Sequence, residues 1–238
     1  MDSFDFEYQA DGRRMVGHLA VPDGDGKAAA VLVCHEGPGL DEHAKTKARR
    51  LASLGYLAFA LDYHGDGKRL EGGLPEVRER LTPLMKDPLL TRSIGQAGLD
   101  ILTAQPRCDS ARLAAIGYCF GGTMALEMGR GGAPVQAIVG FHSGLGTARP
   151  LDAANCTAKV LVCIGANDPM IPVEQRNAFE QEMTAGGVDW RLNVYGGAVH
   201  SFTNPDADLM GMPTAVAYHE PTDRRSWADM LSLFAETL

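Results

Sequence analysis

One cysteine lies where an apolar run of residues meets the start of a predicted helix. Residues 117–121 read G-Y-C-F-G, and the run before them, residues 112–117, has the composition of a strand. A G-x-C-x-G segment between a strand and a helix is the nucleophile-elbow pattern with cysteine in place of serine, and its small residues let strand and helix pack closely around a strained turn. Cys119 is therefore predicted to be a nucleophile at a helix N-terminus, where the helix dipole favours the thiolate and the Phe120 N–H can bind an oxyanion.

Such a nucleophile needs an acid and a histidine base, which follow it along the chain in that order. Asp168 lies in the polar segment G-A-N-D-P, just after the apolar run at residues 159–164. His200 follows the strand-like segment R-L-N-V-Y. Since ligands bind at the carboxyl edge of the strands in open α/β sheets, we expect Cys119, Asp168 and His200 to meet there as a catalytic triad.

A parallel sheet is needed to bring these residues together, and the order of the predicted elements provides one. Apolar runs alternate with amphipathic stretches along most of the chain, which predicts an α/β fold with a mostly parallel central sheet and helices on both faces. Residues 4–10 and 13–20 are predicted to form an antiparallel pair joined at Asp11-Gly12. The predicted parallel strands are at residues 29–34, 56–61, 112–117, 135–141, 159–164 and 188–195. The predicted helices are at residues 45–54, 75–86, 89–104, 121–129, 172–185 and 223–237.

Composition excludes several classes of protein. The chain has 238 residues, 45 % of them hydrophobic and 22 % charged, with a net charge of −8. This is ordinary globular composition, and we predict a single domain over residues 1–238. The acidic balance, with no basic run, argues against nucleic acid or an anionic membrane as a partner. Neither a G-x-G-x-x-G nor a Walker segment follows the first parallel strand, so nucleotide binding is not predicted.

The cysteines and the N-terminus predict a cytoplasmic protein. The five cysteines are odd in number and contain no C-x-x-C pair, which favours free thiols in a reducing compartment. The first residues have neither the basic nor the apolar region of a signal peptide. The longest apolar run, Ala28–Cys34, is far shorter than the roughly 20 residues of a membrane-spanning helix.

Four segments together resemble the dienelactone hydrolase family of α/β-hydrolases, and the resemblance covers nearly the whole chain. They are C-H-E-G-P-G at residues 34–39, the elbow at 117–122, G-A-N-D at 165–168 and G-A-V-H-S-F at 197–202. The resemblance implies an α/β-hydrolase fold and a Cys-His-Asp triad that needs no cofactor. It also implies that Glu36 contacts the resting thiol and that the Gly37 N–H is a second oxyanion donor. Some relatives of this type also accept phosphotriesters.

One departure from the family bears on the substrate. Members that act on dienelactone hold the substrate carboxylate with two arginines, one of them four residues after the catalytic histidine, where this chain has Asn204. Arg78 or Arg80 could supply the other. Because one charged partner is missing, a neutral ester, lactone or phosphotriester is favoured. His142 and Phe202 are further candidates for the pocket wall, with a structural role as the alternative for each.

Ordinary structural explanations exist for several of these residues. Cys119 could be a small buried residue, Asp168 a turn residue, His200 a surface histidine and Glu36 a solvated loop acid. His64 could indicate a metal site, but no H-x-H or H-E-x-x-H accompanies it, so no metal is predicted.

The remaining cysteines are not predicted to react. Cys34 and Cys163 lie in apolar runs and are predicted core residues, whereas Cys108 and Cys156 are predicted to lie in polar loops.

The sequence thus predicts a cysteine-dependent hydrolase of neutral carboxylic esters and lactones, with activity on aryl phosphotriesters. The partner is a small-molecule substrate, and the sequence leaves monomer and homodimer open. Three rival functions remain. They are a true dienelactone hydrolase, a non-catalytic ligand-binding protein on a hydrolase scaffold, and an acyl transferase that uses an acceptor other than water.

Overall fold

Eight strands form one sheet in residues 1–10 and 12–238, which are the residues that this computed structural model describes. The strands are β1 (Asp2–Ala10), β2 (Arg13–Val21), β3 (Ala28–Cys34), β4 (Leu57–Leu61), β5 (Cys108–Tyr118), β6 (Ala137–Phe141), β7 (Lys159–Gly165) and β8 (Trp190–Tyr195). Their order across the sheet is β1-β2-β4-β3-β5-β6-β7-β8. The β1–β2 and β2–β4 pairs are antiparallel, and the other neighbouring pairs are parallel. The predicted mostly parallel sheet is confirmed.

The N-terminal strand pair is also present. Its register runs from Asp2 opposite Val21 to Ala10 opposite Arg13. The predicted junction at Asp11-Gly12 includes Asp11, which lies outside the described residues.

Helices cover both faces of the sheet, as predicted. They are α1 (Glu42–Ser53), α2 (Gly73–Lys86), α3 (Pro88–Thr103), α4 (Phe120–Arg130), α5 (Val173–Ala185) and α6 (Glu220–Thr237). The apolar side chains of α1 and α6 pack in one core, and those of α2, α3, α4 and α5 pack in the other. Every residue of β3 is buried, which explains why this central strand is a continuous apolar run. No helix among the described residues is long and apolar enough to cross a membrane.

Helix α1 and strand β5 are among the elements that begin earlier than predicted. Helix α1 starts at Glu42 rather than at residue 45, because the Asp41 side chain caps it by accepting the Ala44 N–H at 3.3 Å. Strand β5 starts at Cys108 rather than at residue 112, because its first residues are polar and lack the apolar signal of a strand. Cys108 therefore lies buried at the start of a strand, and its predicted loop position is wrong.

Candidate active site

The turn between β5 and α4 is a strained elbow with Cys119 at its apex. Cys119 has φ 53° and ψ −120°, a conformation that residues other than glycine seldom adopt. A Cβ on Gly117 would lie 2.1 Å from the Gly121 carbonyl oxygen, and one on Gly121 would lie 2.2 Å from the Cys34 carbonyl oxygen. The two glycines of the G-x-C-x-G segment are thus required because strand and helix approach too closely for a side chain.

The carboxyl ends of β7 and β8 bring Asp168 and His200 together. His200 Nδ1 lies 2.8 Å from Asp168 Oδ2, and both side chains are buried. The other carboxylate oxygen, Asp168 Oδ1, accepts the Met170 N–H at 2.8 Å, which fixes the orientation of the carboxylate. Because an ionised carboxylate only accepts, His200 Nδ1 carries the proton and Nε2 is left as the basic nitrogen. His200 Nε2 is buried and has no hydrogen-bond partner among the described residues.

The electrostatic surroundings of His200 favour its protonated form. Burial alone would lower the pKa of His200, but the negative charge of a Cys119 thiolate and the hydrogen bond to Asp168 outweigh it and hold the pKa well above its ordinary value. The imidazolium is therefore stabilised when Cys119 is ionised. This is the charge distribution that a cysteine nucleophile and its base need.

Cys119 and His200 face a cavity of about 310 Å³ whose walls are mainly apolar. The apolar side chains of the lining come from α2, from the loop after β7 and from the segment after His200. They include Leu74, Val77, Leu81, Met170, Ala207, Leu209, Met210 and Val216, and Pro38 adds an apolar ring from the loop after β3. The polar and charged lining includes Glu36, Asp41, Arg69, Asn204 and Asp206.

Glu36 lies in this cavity with both carboxylate oxygens already bonded. Ser201 Oγ donates to Oε1 at 2.7 Å, and Asn204 Nδ2 donates to Oε2 at 2.6 Å. Burial raises the pKa of Glu36 above its ordinary value, although these two hydrogen bonds oppose the shift. Glu36 and Cys119 line the same cavity, but no hydrogen bond joins them among the described residues, and the implied contact with the thiol remains a prediction.

Two backbone amides border the nucleophile. Phe120 is the first residue of α4, so its N–H has no partner within the helix. Gly37 lines the same cavity as Cys119, and no described residue accepts its N–H. Phe120 thus adjoins Cys119 along the chain and Gly37 shares its cavity, and the roles of their N–H groups as oxyanion donors remain predictions.

Two residues predicted for the pocket wall are buried behind it, and that prediction is corrected. His142 and Phe202 are fully buried and do not line the cavity. His142 Nδ1 accepts the Cys119 N–H at 3.1 Å, and its Nε2 donates to Thr203 Oγ1 at 2.9 Å. Phe202 packs edge-on against the His142 ring at 5.0 Å. Their rings support the elbow from below and are shielded from substrate by it.

The predicted arginines of α2 are also outside the cavity. Arg78 and Arg80 are exposed, because α2 turns Leu74, Val77 and Leu81 toward the cavity. The cation of the lining is Arg69 instead, which reaches the site because its backbone bridges to Gly39.

Sequence reasoning missed Arg69 and Ser201. The position of Ser201 directly after His200 could have pointed to the site. Arg69 lies in a loop rich in glycine and charged residues, where no sequence pattern marks it. Asn204 lines the cavity, as predicted.

The strand order, the elbow and the His200–Asp168 pair define an α/β-hydrolase. The chain belongs to the dienelactone hydrolase family, whose sequence model matches residues 15–238. It is similar to the solved structure m3DLH, with 44 % identity, a TM-score of 0.95, and coverage of 100 % of this chain and 98 % of that one. It is also similar to a dienelactone hydrolase-like promiscuous phosphotriesterase from metagenomic libraries, with 39 % identity, a TM-score of 0.93, and coverage of 99 % and 98 %.

A curated relative agrees with this assignment. The chain is 27 % identical to a Yersinia pestis protein named "Putative carboxymethylenebutenolidase", over 94 % of this chain and 85 % of that protein. The chain is accordingly an enzyme that hydrolyses ester bonds.

Proposed function

We propose that this enzyme hydrolyses neutral carboxylic esters and lactones, and also aryl phosphotriesters, through a covalent intermediate on Cys119. The observation that carries the proposal is the convergence of Cys119, His200 and Gly37 on one largely apolar cavity, with the Phe120 N–H next to Cys119 at the start of α4. A nucleophile, a base and oxyanion donors around one small volume are the parts that acyl transfer requires.

The reaction follows from these positions. His200 Nε2 takes the thiol proton as Cys119 Sγ attacks the acyl carbon, and the developing oxyanion accepts from the N–H groups of Phe120 and Gly37. The C–O bond to the leaving alcohol then breaks, and His200 returns the proton to that oxygen. Water, deprotonated by His200, attacks the thioester, and the acid departs as the thiol is restored.

The charges of the cavity support a neutral substrate. Asn204 is uncharged, and the lining carries three carboxyl groups, Glu36, Asp41 and Asp206, against the cations of Arg69 and protonated His200. A substrate with its own carboxylate would meet more acidic than basic groups. Because a thiolate is itself a good leaving group, the substrate oxygen that departs should also leave readily, as in aryl esters and enol lactones.

A phosphotriester satisfies the same conditions. It is neutral, and attack by Cys119 Sγ on phosphorus places the developing negative charge on the phosphoryl oxygen, within reach of the same amides. The relative described above as a promiscuous phosphotriesterase shares 39 % of its residues with this chain over almost the full length of both. A nitrophenyl phosphotriester is therefore the second substrate class that we propose.

A stopped-flow burst followed by intact mass tests the proposal. With p-nitrophenyl butyrate and with a neutral nitrophenyl phosphotriester, we expect a nitrophenolate burst stoichiometric with enzyme and the corresponding mass adduct. Both should be lost in Cys119→Ala. A folded wild-type protein that shows neither burst nor adduct with either substrate would contradict the proposal and favour a narrow lactonase or a binding protein.

Carboxymethylenebutenolidase activity is the second candidate, and the position of Arg69 in the cavity is the observation that favours it. A guanidinium there can pair with a substrate carboxylate. Saturable turnover of an anionic dienelactone with a kcat/KM above that of a neutral ester would support this candidate over the first.

A further inference from the structure

Three buried side chains that the proposed reaction does not use surround the backbone on either side of Gly37. They are His35, Tyr63 and His64, with exposed fractions of 0 %, 2 % and 7 %. None belongs to the triad, and none lines the substrate cavity. Each donates a hydrogen bond to the peptide group before or after Gly37.

The carbonyl of Glu36 collects three of these hydrogen bonds. His35 Nδ1 lies 2.6 Å from it, Tyr63 Oη 2.8 Å and the Gly39 nitrogen 3.2 Å. A carbonyl oxygen only accepts, so all three groups are donors. The described residues contain no cis peptide bond, and in a trans peptide the N–H points away from the carbonyl. Holding the Glu36 carbonyl therefore fixes the direction of the Gly37 N–H.

The next peptide is held in the same way. His64 Nε2 donates to the Gly37 carbonyl at 2.8 Å. Glycine has the widest backbone freedom of any residue, so an amide of Gly37 can serve as an oriented donor only when its neighbours restrain it. A residue with a side chain would have less backbone freedom than glycine. There is little room for one here, because a Cβ at this position would lie 3.0 Å from Val77 Cγ1.

The hydrogen positions of this cluster are stable across neutral pH. Burial, with the nearby His64 as a second cause, lowers the pKa of His35 to about 3. Burial is also the main cause that lowers the pKa of His64. Both rings are neutral, with the proton on the nitrogen that faces a carbonyl.

Tyr63 contacts both the peptide group that carries the Gly37 N–H and the ring of Phe120, whose N–H is the other proposed donor. Besides its hydrogen bond to the Glu36 carbonyl, its ring stacks on His35 at 3.7 Å and packs edge-on against Phe120 at 5.5 Å. The loop that holds it is itself fixed by Asp62. That side chain accepts from the backbone nitrogens of four residues at 2.7–3.1 Å, namely Val16, His64, Gly65 and Gly67.

We infer that Tyr63, with His35 and His64, is a positioning residue that aims the Gly37 N–H at the oxyanion. This inference rests on the proposed acyl transfer at Cys119. Without the Tyr63 hydroxyl, the Glu36 carbonyl keeps its hydrogen bonds from His35 and Gly39. The peptide group between Glu36 and Gly37 is then held less firmly. Because removal of a whole oxyanion donor costs about 10²–10³ in kcat, we expect Tyr63→Phe to lower kcat about tenfold with KM changed less than about twofold.

Comparison of the rates of acylation and alkylation of Cys119 distinguishes this positioning role from a merely structural one. Acylation by p-nitrophenyl butyrate develops an oxyanion, whereas alkylation by iodoacetamide displaces iodide from a saturated carbon and uses no oxyanion hole. We expect Tyr63→Phe to slow the acylation burst about tenfold and to leave the alkylation rate within about twofold of wild type. Tyr118→Phe is the matched control, since Tyr118 is fully buried and its hydroxyl has no hydrogen-bond partner among the described residues.

Each outcome decides the inference. Equal acylation rates in Tyr63→Phe and Tyr118→Phe would overturn it, and so would a parallel loss of acylation and alkylation. If Tyr63→Phe does not fold, the pair His64→Gln and His64→Leu takes its place, and equal acylation rates in that pair would overturn the inference. Absence of a burst in the wild type would instead show that the proposed function fails.

Discussion

The backbone nitrogen of Cys119 is shared between two acceptors, the Phe141 carbonyl at 3.0 Å and Nδ1 of His142 at 3.1 Å. His142 itself has φ 41°, so the strained residue of the elbow rests on a second strained residue at the end of the neighbouring strand. Burial, together with nearby cationic groups that include His200, holds the pKa of His142 well below its ordinary value. The ring is therefore neutral and keeps Nδ1 free to accept.

Replacement of His142 should separate hydrogen bonding from packing. Asn tolerates positive φ, and its side-chain oxygen can accept the Cys119 N–H, whereas Leu can do neither. We expect His142→Leu to lower kcat/KM at least about tenfold and to destabilise the fold by about 2 kcal/mol, with His142→Asn intermediate between it and wild type. Ester hydrolysis and urea unfolding measure the two effects. Equal activity in both variants would show that the acceptor does not matter.

Glu36→Gln should make the protein more stable at high pH and less active. Burial raises the pKa of Glu36, so the folded chain holds this proton more tightly than the unfolded chain does. The stabilisation is complete below the unfolded pKa and is lost as pH rises through the folded pKa. Glutamine does not titrate, so the variant does not lose this stability as pH rises. We expect its Tm to exceed that of wild type at pH 8 by about 2–4 °C, as for a change of about 1 kcal/mol in a chain of this size.

The pH dependence provides the check on that prediction. Thermal unfolding at intervals from pH 4 to pH 8 should show the difference in Tm shrinking toward acid pH. A difference that stays constant over this range would mean that the titration of Glu36 is not its source.

Arg69 and Arg78 should differ in their effect on substrate charge. Arg69 lines the cavity, whereas Arg78 is exposed on α2 outside it. We expect Arg69→Ala to raise KM for an anionic aryl ester up to about fivefold relative to a matched neutral ester, since the ion pair of an exposed guanidinium is lost. Arg78→Ala should leave the ratio unchanged. If Arg78→Ala changed this ratio, Arg78 on α2 would contribute to binding of the substrate carboxylate, as the sequence predicted.

Arg130 should be essential for stability but not for chemistry. It is fully buried, and its guanidinium bonds Glu127 at 3.0 Å, Glu182 at 2.7 Å and the Leu145 carbonyl at 2.8 Å. Arg130→Met leaves the Glu182 carboxylate without its cation and Glu127 with Arg92 alone, which should cost about 3–5 kcal/mol in urea unfolding. The kcat per folded molecule should not change.

An exposed ion pair gives the control for Arg130. Arg224 lies 3.5 Å from Glu220 at the surface of α6, and Arg224→Ala should cost less than about 1 kcal/mol. Similar losses of stability in the two variants would mean that the buried network contributes no more than a surface pair.

The sequence predicted the sheet well because a strand that is buried on both faces consists almost entirely of apolar residues. The wholly buried strand β3 is an apolar run, and glycine is forced at 117 and 121 because a Cβ there would lie 2.1 Å and 2.2 Å from a backbone oxygen. The 2.8 Å contact of His200 with Asp168 joins two residues that the sequence had already placed at one sheet edge. Their catalytic roles, like that of Cys119, remain predictions.

The pocket wall was less predictable because it depends on how loops and rings turn in three dimensions. His142 follows a strand at the correct edge, but its positive φ directs the ring under the elbow, and no residue pattern records that angle. Leu209 and Val216 reach the cavity from a segment that has one short 3₁₀ helix and a single β-bridge from Val216 to His200. Such contacts depend on long-range packing that one sequence does not display.

Two parts of the site differ in how much change they can absorb. Both carboxylate oxygens of Asp62 accept from backbone nitrogens, so a substitution of Asp62 would displace the loop that holds Tyr63 and His64. Leu209, by contrast, lines the cavity yet is 86 % exposed, whereas Ala215 and Ala217 hold the backbone of His200 through two hydrogen bonds. Diversification of substrate range, by selection or in directed evolution, can therefore proceed at Leu209 and Met210 while the backbone that holds His200 is left intact.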